Sequence, residues 1–319
     1  MPTTVNVSTS YAGEFAGKYI AAALLSAPTL DKNGVTVIPN VKYKQVVKKV
    51  TSDANLIKDA GCDFAPTGTI SLTERILQPK ELMVNLNLCK TSFESDWNAI
   101  EMGYSAFDVL PKTFADFLIA HVSEKVAAAT ETAIWTGTAT TGSFAGFGSI
   151  VSTDALLPAA QEVAVVGGGI TAANVITELG RIVDAIPQTV YGKEDLKIFV
   201  APNIARAYVR ALGGFGTSGL GGNGTEGKGT QWYTNGELMF DGVALFVVNG
   251  LAANTAICAQ TANLYFGCGL MSDLAEVQVI DTSSTLGDKN VRVIMRYTAG
   301  VQIGAIEDVV TYGIPNAAN

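Results

Sequence analysis

The run from Pro111 to Trp135, PKTFADFLIAHVSEKVAAATETAIW, constrains the fold more than any other part of the chain. Phe114, Phe117, Leu118, Val122, Val126, Ala129 and Ala133 recur at three- and four-residue steps, the period of one face of an α-helix. Pro111 sits just ahead of the first turn, where a missing N–H costs nothing. Thr113 and Asp116 offer a capping pair, and Gly137 supplies a stop. A helix over 113–135 spans roughly 34 Å, the width of a small domain. The alanines of its second half let a neighbouring backbone approach closely, so the pattern predicts a rod with a sheet lying across it.

A chain of 319 residues can bury a core of two domains. Charged residues make up only 16%, against about a quarter in ordinary soluble proteins. The mean hydropathy is +0.28. Such a chain either lies in a membrane or has much of its surface covered by other copies of itself. The longest charge-free run, Gly242 to Ser272, is broken by Asn249, Gly250, Asn254, Thr255, Gln260 and Asn263. It therefore offers no stretch of about 18 apolar residues, and no membrane association is expected. MPTTVNVSTS has no basic segment followed by an apolar one, so no secretory signal is expected. Self-association is left. The net charge of −8 argues against a dedicated nucleic-acid binder. The acid is uneven: residues 1–150 hold 12 basic and 14 acidic side chains, residues 151–319 hold 9 and 15. Cys62, Cys89, Cys258 and Cys268 lie far apart, and with a single histidine they do not suggest a metal site. They read as mostly buried thiols of a reducing cytoplasm.

Residues 1 to about 40 are small and polar, with one amphipathic piece from Glu14 to Leu25. They read as an arm that must lie on something else. VTVIPNVKYKQVVKKV, residues 35–50, reads as strands interrupted at Pro39. Its lysines Lys42, Lys44, Lys48 and Lys49 have three readings: a solvated edge strand guarded against stray pairing, a contact with the acidic surface of another copy, or a weak nucleic-acid footprint. GTISLTERILQPKELMVNLNLC, residues 68–89, is again strand-like, with a turn at Gln78-Pro79. Together 41–88 are expected to form a long two-stranded excursion that buries little in its own subunit. Trp97, Tyr104 and Phe107 then lead back to a core, and TGTATTGSFAGFGSIVST after the long helix reads as a domain boundary.

VAVVGGGITAANVI contains Gly167, Gly169 and Ala172 in the spacing of a dinucleotide-binding turn, but the next strand, LKIFVAPN, lacks the acid that would hold a ribose. It reads as a glycine hinge before a helix capped at Thr171, with Ala172, Val175, Ile176, Leu179, Ile182, Val183 and Ile186 as its apolar stripe and Pro187 as its end. A strand over 196–201 and a helix over 203–212 follow. Residues 213–230 hold nine glycines; Gly222 to Gly229 falls short of a phosphate-binding loop because Gly229 replaces the magnesium-binding hydroxyl. Strands are expected at 243–248, ending in the hairpin signal Asn249-Gly250, and at 264–267, 275–281, 291–297 and 301–311. His121 stands alone, and the neighbouring carboxylates Glu194-Asp195 and Glu307-Asp308 read as solvated. No catalytic constellation is formed.

The order of these elements resembles the major capsid proteins of tailed bacteriophages, whose fold is named after phage Hong Kong 97. The local supports are PKTFADFLIAHVSEKVAAATETAIWTGT, KIFVAPNIARAYVRAL, NLYFGCGLMSDLAEVQVID and VRVIMRYTAGVQIGAIEDVVTY. The resemblance implies an α+β fold with an N-terminal arm over 1–40 and an extended loop over 41–88. It implies a peripheral domain over 89–150 and 274–300, holding the spine helix 113–135, and an axial domain over 151–273 and 301–319. It also implies pentamers and hexamers closing into an icosahedral shell around double-stranded DNA, which is touched only by non-specific proximity. The expected place is the virion, assembled in the host cytoplasm. Portal and decoration proteins are further partners, and any scaffolding is expected to be separate or absent. The lysine and asparagine that cross-link some members have no match here. No cofactor, metal or enzymatic activity is expected. Encapsulins, cellular shells of the same fold, are the alternative, and a nicotinamide-dependent enzyme is a further one.

The missing acid after 196–201 and Gly229 in place of Ser/Thr lead to one expectation. Isothermal titration with NAD and with Mg-ATP shows no heat of binding; micromolar affinity for either would overturn this reading of the glycine motifs.

Overall fold

The computed structural model describes residues 28–52, 68–89, 112–213, 238–269, 277–282, 287 and 289–318. Helix α1 (Pro28–Asp31) leads into β1 (Thr36–Ile38), followed by β2 (Gln45–Ser52), β3 (Ile70–Leu77) and β4 (Lys80–Cys89). The long helix α2 runs from Lys112 to Thr136 and a short α3 from Phe147 to Thr153. Then come β5 (Glu162–Val163), α4 (Val175–Asp184), β6 (Leu196–Val200) and α5 (Pro202–Gly213). The remainder is β7 (Leu238–Phe240), β8 (Val243–Val247), β9 (Ala256–Gln260), β10 (Leu264–Cys268), β11 (Val277–Asp281), β12 (Asn290–Ile303) and β13 (Val310–Tyr312).

Three sheets result. In the first, β12 is flanked on one side by β10 and β11 and on the other by β4, and β1 extends β10 in parallel. Alternate residues of β12 (Val291, Val293, Met295 and Tyr297) turn into a core that also contains Ile119, Val122 and Val126 of α2. The rod and sheet expected from the helical period are therefore present. The second sheet has the order β5-β13-β9-β6-β8-β7. One of its faces joins the same core through Phe199, Phe246, Ile257 and Ala259. Its other face, with Ile198, Val200, Leu245, Cys258 and Tyr312, packs under the stripes of α4 and α5. The third sheet is the ribbon β2-β3.

Several expectations need correction. The two-stranded excursion does not run over 41–88: the ribbon ends at Leu77, and β4 pairs with β12 in ten positions from Lys80↔Ala299 to Cys89↔Asn290. Gln78-Pro79 is where the chain leaves one sheet for the other; alternation in MVNLNL marks a strand but carries no information about its partner. The strands expected at 291–297 and from 301 are one strand, β12, followed by a 3₁₀ turn at Ile306–Asp308 and the short β13. Asn249-Gly250 does not close a hairpin, because β6 lies between β8 and β9. The hairpin is one turn earlier, between β7 and β8, where Asp241 and Gly242 both adopt positive φ, 48° and 81°. Helix α4 begins at Val175, so Ala172 is outside it, and Ile176 is exposed. On α2, Ala129 faces solvent while Thr130 and Glu131 are buried. The side chains of Phe114, Phe117 and Leu118, the Thr113–Asp116 cap, the arm piece 14–25, residues 97, 104 and 107, and the glycine-rich loop 214–230 lie outside the described residues.

The buried acid on α2 explains how the N-terminal segment is held. Thr29 donates its hydroxyl and its backbone N–H to the Glu131 carboxylate, and the Trp135 indole donates to the Thr29 hydroxyl oxygen at 2.8 Å. Gly250 packs against the same turn of the helix: a Cβ there would stand 2.3 Å from the Glu131 carbonyl oxygen. Gly180, inside α4, has nothing within 4 Å of such a Cβ. The two glycines therefore respond oppositely to alanine. Gly250→Ala is expected to lower the urea stability of the subunit by about 2 kcal/mol or more, because helix backbone must move. Gly180→Ala is expected to raise it by about 0.5–1 kcal/mol through helix propensity and lost unfolded-state entropy.

Candidate assembly surface

The antiparallel register of the ribbon sorts its residues onto two faces. Val46 opposes Ile76, Lys48 opposes Glu74, Val50 opposes Leu72, and Ser52 opposes Ile70. This face is turned outward: Val46 is 39% exposed, Ile76 49%, Leu72 57%, Val50 65% and Ile70 73%. Lys48 reaches across the strands to Glu74 at 3.8 Å, a pair that is more than half exposed. An outer face with five large apolar side chains is the reverse of what a solvated strand shows.

On the other face Val47, Lys49, Arg75 and Leu77 are turned toward the chain's own body, while Thr73 stays exposed. Leu77 is fully buried and lies over Gly267 of β10. Arg75 pairs with Asp154 at 2.7 Å, both under one fifth exposed. Lys49 pairs with Glu307 at 2.8 Å in a more open setting, and Gln302 donates to the Ile76 carbonyl at 2.8 Å. At the root of the ribbon the Lys80 ammonium donates to three carbonyl oxygens of the loop after α2, those of Ala139, Thr140 and Ser143 at 3.3, 2.7 and 2.8 Å. These contacts fix the direction in which the ribbon leaves the body.

The four lysines do not act as one patch. Lys49 is bound within its own chain, and Lys48 is engaged across the ribbon. Lys42 and Lys44 are exposed, with the Lys44 ammonium 5.3 Å from the centroid of the Tyr43 ring. Glu307 is not simply solvated as its sequence position suggests. Arg75, Asp154, Glu307 and Lys80 were not legible as a site, because their partners lie 59 to 258 positions away in sequence. Partial burial acts against the Glu307 carboxylate, but the Lys49 hydrogen bond, a local backbone N–H and the charges of Lys49 and Arg75 outweigh it, so its pKa lies below the ordinary glutamate value.

The glycine motifs are placed too. Gly167 to Gly169 follow β5, a two-residue edge strand, whereas a dinucleotide turn follows a central one. Ile170, Thr171 and Ala172 line an open hollow of about 360 Å³ with Asn203, Arg206, Ala207 and Arg210. Cys258 and Cys268 are buried, and burial pushes the Cys258 thiol up to about 12. Among the described residues no three histidine, cysteine or acidic side chains cluster as metal ligands, and no helix is long and apolar enough to cross a membrane.

The two ion pairs beneath the ribbon are expected to differ. In double-mutant cycles, Lys49–Glu307 should couple by about 0.5 kcal/mol and lose this in ~1 M salt, as exposed pairs do. Arg75–Asp154, better shielded, should couple more strongly and keep most of it. The Lys49–Glu307 coupling is complete above the unfolded-state glutamate pKa. It disappears only as the pH falls through the lower folded-state value of Glu307.

No family model and no curated protein sequence matches the chain. Solved structures do. The chain is similar to the satellite phage P4 procapsid including size determination (Sid) protein, with TM-score 0.59 and 9% identity over 98% of this chain and 94% of that one. It is similar to the capsid of the native GTA particle computed with C5 symmetry, with TM-score 0.55 and 12% identity over 99% and 95%. It is also similar to the capsid of Myoviridae Phage XM1, with TM-score 0.55 and 11% identity over 90% and 91%. Matching these structures along nearly its whole length, the chain has the Hong Kong 97-type fold of these phage capsid structures.

Proposed function

We propose that the chain is a major capsid protein, that it self-assembles into pentamers and hexamers, and that these close into an icosahedral shell around double-stranded DNA. The observation that carries this reading is the ribbon. Its outer face presents Val46, Val50, Ile70, Leu72 and Ile76, which the described residues of the same subunit leave open. Burying such a side chain contributes roughly 1.5–3 kcal/mol. A second copy is the natural cover in a chain with only 16% charged residues.

The remaining roles follow from that assembly. The protein works as a structural component of the virion rather than as an enzyme. It assembles in the host cytoplasm, with portal or decoration proteins as further partners and any scaffolding separate or absent. DNA is held by confinement, since a chain of net charge −8 gives phosphates no general attraction. The arm 1–40, the extended loop, a peripheral domain around α2 and an axial domain around α4, β6 and α5 are the working divisions of the subunit. Lys42 and Lys44 are the lysines available to a neighbour, while Lys48 and Lys49 act mainly within the subunit.

The test replaces Gln45–Leu72 by a short Gly/Ser turn. The shortened chain is expected to keep the circular dichroism and melting of the parent while forming no shells by negative-stain microscopy. A parent that stays monomeric across salt and pH, or a shortened chain that still closes shells, would overturn the proposal.

A further inference from the structure

The second sheet and its helices carry five described basic side chains, and three are engaged. Arg181 pairs with Glu178 at 2.8 Å, Lys193 donates to Gln260 at 3.2 Å, and Lys197 lies 5.4 Å from the centroid of the Phe246 ring. Arg206 and Arg210 have no partner among the described residues, and both border the open hollow. They stand one helical turn apart on α5, where like charges repel by a few tenths of a kcal/mol. Around them are the Thr171 hydroxyl, the Asn203 amide and the apolar Ile170, Ala172 and Ala207, with no carboxylate in the lining. Asn203 is held in place by reciprocal hydrogen bonds with Asn254 at 2.8 and 3.1 Å. The Thr171 hydroxyl and the Asn203 amide already donate to Asn174 and Asn254, so the two uncompensated guanidinium groups are what the hollow offers an oxyanion, within a half of the chain that has 15 acidic against 9 basic residues.

The same domain carries acids at its opposite end. The hollow lies toward the end where β6 finishes and α5 begins. Asp184 closes α4, Glu194 precedes β6, and Asp241 sits in the turn before β8, which runs parallel to β6. All three are exposed, and their carboxylates have no partner among the described residues. A domain with free cations toward one end and free acids at the other is complementary to a second copy placed head to tail, the heterologous arrangement that generates rings. We propose that the hollow formed by Thr171, Asn203, Arg206 and Arg210 takes a carboxylate from the same domain of a neighbouring copy, drawn from Asp184, Glu194 or Asp241. The inference rests on the shell reading and adds the ionic seam between copies within one ring.

The experiment uses the full chain, with assembly followed by light scattering and microscopy at several salt concentrations. R206E/R210E is expected to lower the assembled fraction about tenfold at low salt with an unchanged thermal melt. D184K/E194K/D241K is expected to show the same defect, and the chain carrying all five changes to regain assembly. R206Q/R210Q, which removes the charge but keeps a polar stem, should assemble weakly and lose salt sensitivity; it serves if the glutamates unfold the domain. Normal assembly of R206E/R210E or of R206Q/R210Q overturns the proposal, as does a five-fold variant that melts like the parent but does not recover. Shells that form normally but hold less DNA would assign the hollow to phosphate and likewise overturn it. A parent chain that never assembles removes the shell reading itself, an outcome distinct from failure of the variants alone.

Discussion

At the last turn of the long helix, the Trp135 ring lies 4.9 Å from Phe199 and 5.3 Å from Phe147, and Phe199 lies 5.4 Å from Phe246. Aromatic pairs at such spacings contribute about 0.5–1.5 kcal/mol each beyond the area they bury. Trp135 comes from α2, Phe147 from α3, and Phe199 and Phe246 from the second sheet. This cluster therefore fastens the helix that carries the first sheet to the face of the second. It also holds the N-terminal segment, because the indole N–H bonds Thr29 and Gly34 fits against Phe199 and Phe246. Both sheets share one apolar core at this point, so the helix and the two sheets pack against one another directly.

The ribbon is held by the opposite kind of chemistry. Beneath it lie two ion pairs, a hydrogen bond donated by the Gln302 amide to the Ile76 carbonyl, the Lys80 ammonium among three carbonyls, and one buried apolar anchor, Leu77. Polar ties of this sort set an angle without contributing much free energy, since each exchanges water for a protein partner. Its apolar side chains are spent on the outer face. The polarity of the ribbon is thus inverted relative to the two packed sheets.

Much of this was written in the sequence. The 3.6-residue period of Val122, Val126 and Ala133 located α2 almost to the residue, and LKIFV followed by PNIARAYVRALG located β6 and α5. What failed were pairings. KELMVNLNLC reads as a strand in any company, and only the tertiary structure gives it to β12 rather than to the ribbon. Asn249-Gly250 looks like a hairpin, but its glycine serves close approach to Glu131 on α2. The buried Glu131 breaks the apolar period and is accounted for only by Thr29, 102 positions away. Of the assembly surface, the basic run drew attention, yet alternation in β2 separates Lys48 from Lys49 onto opposite faces with different work. The pair Arg206 and Arg210 lay inside a recognised helix and became a site only when the loop at Ile170 to Ala172 was brought beside it.

The pairing of β4 with β12 has a consequence for synthesis. Strand Lys80–Cys89 waits for Asn290–Ala299 before either of its edges is satisfied, and β1 needs β10. Contacts this distant in sequence are slow to form, since a long loop must close first. A nascent chain on the ribosome therefore cannot complete the first sheet until residues 290–303 have emerged. Helix α2 meets its sheet, and the ribbon gains the β12 and Glu307 contacts at its base, only after β12 and Glu307 have been made. Chains that stop short of β12 are in this way unable to hold the ribbon at its set angle.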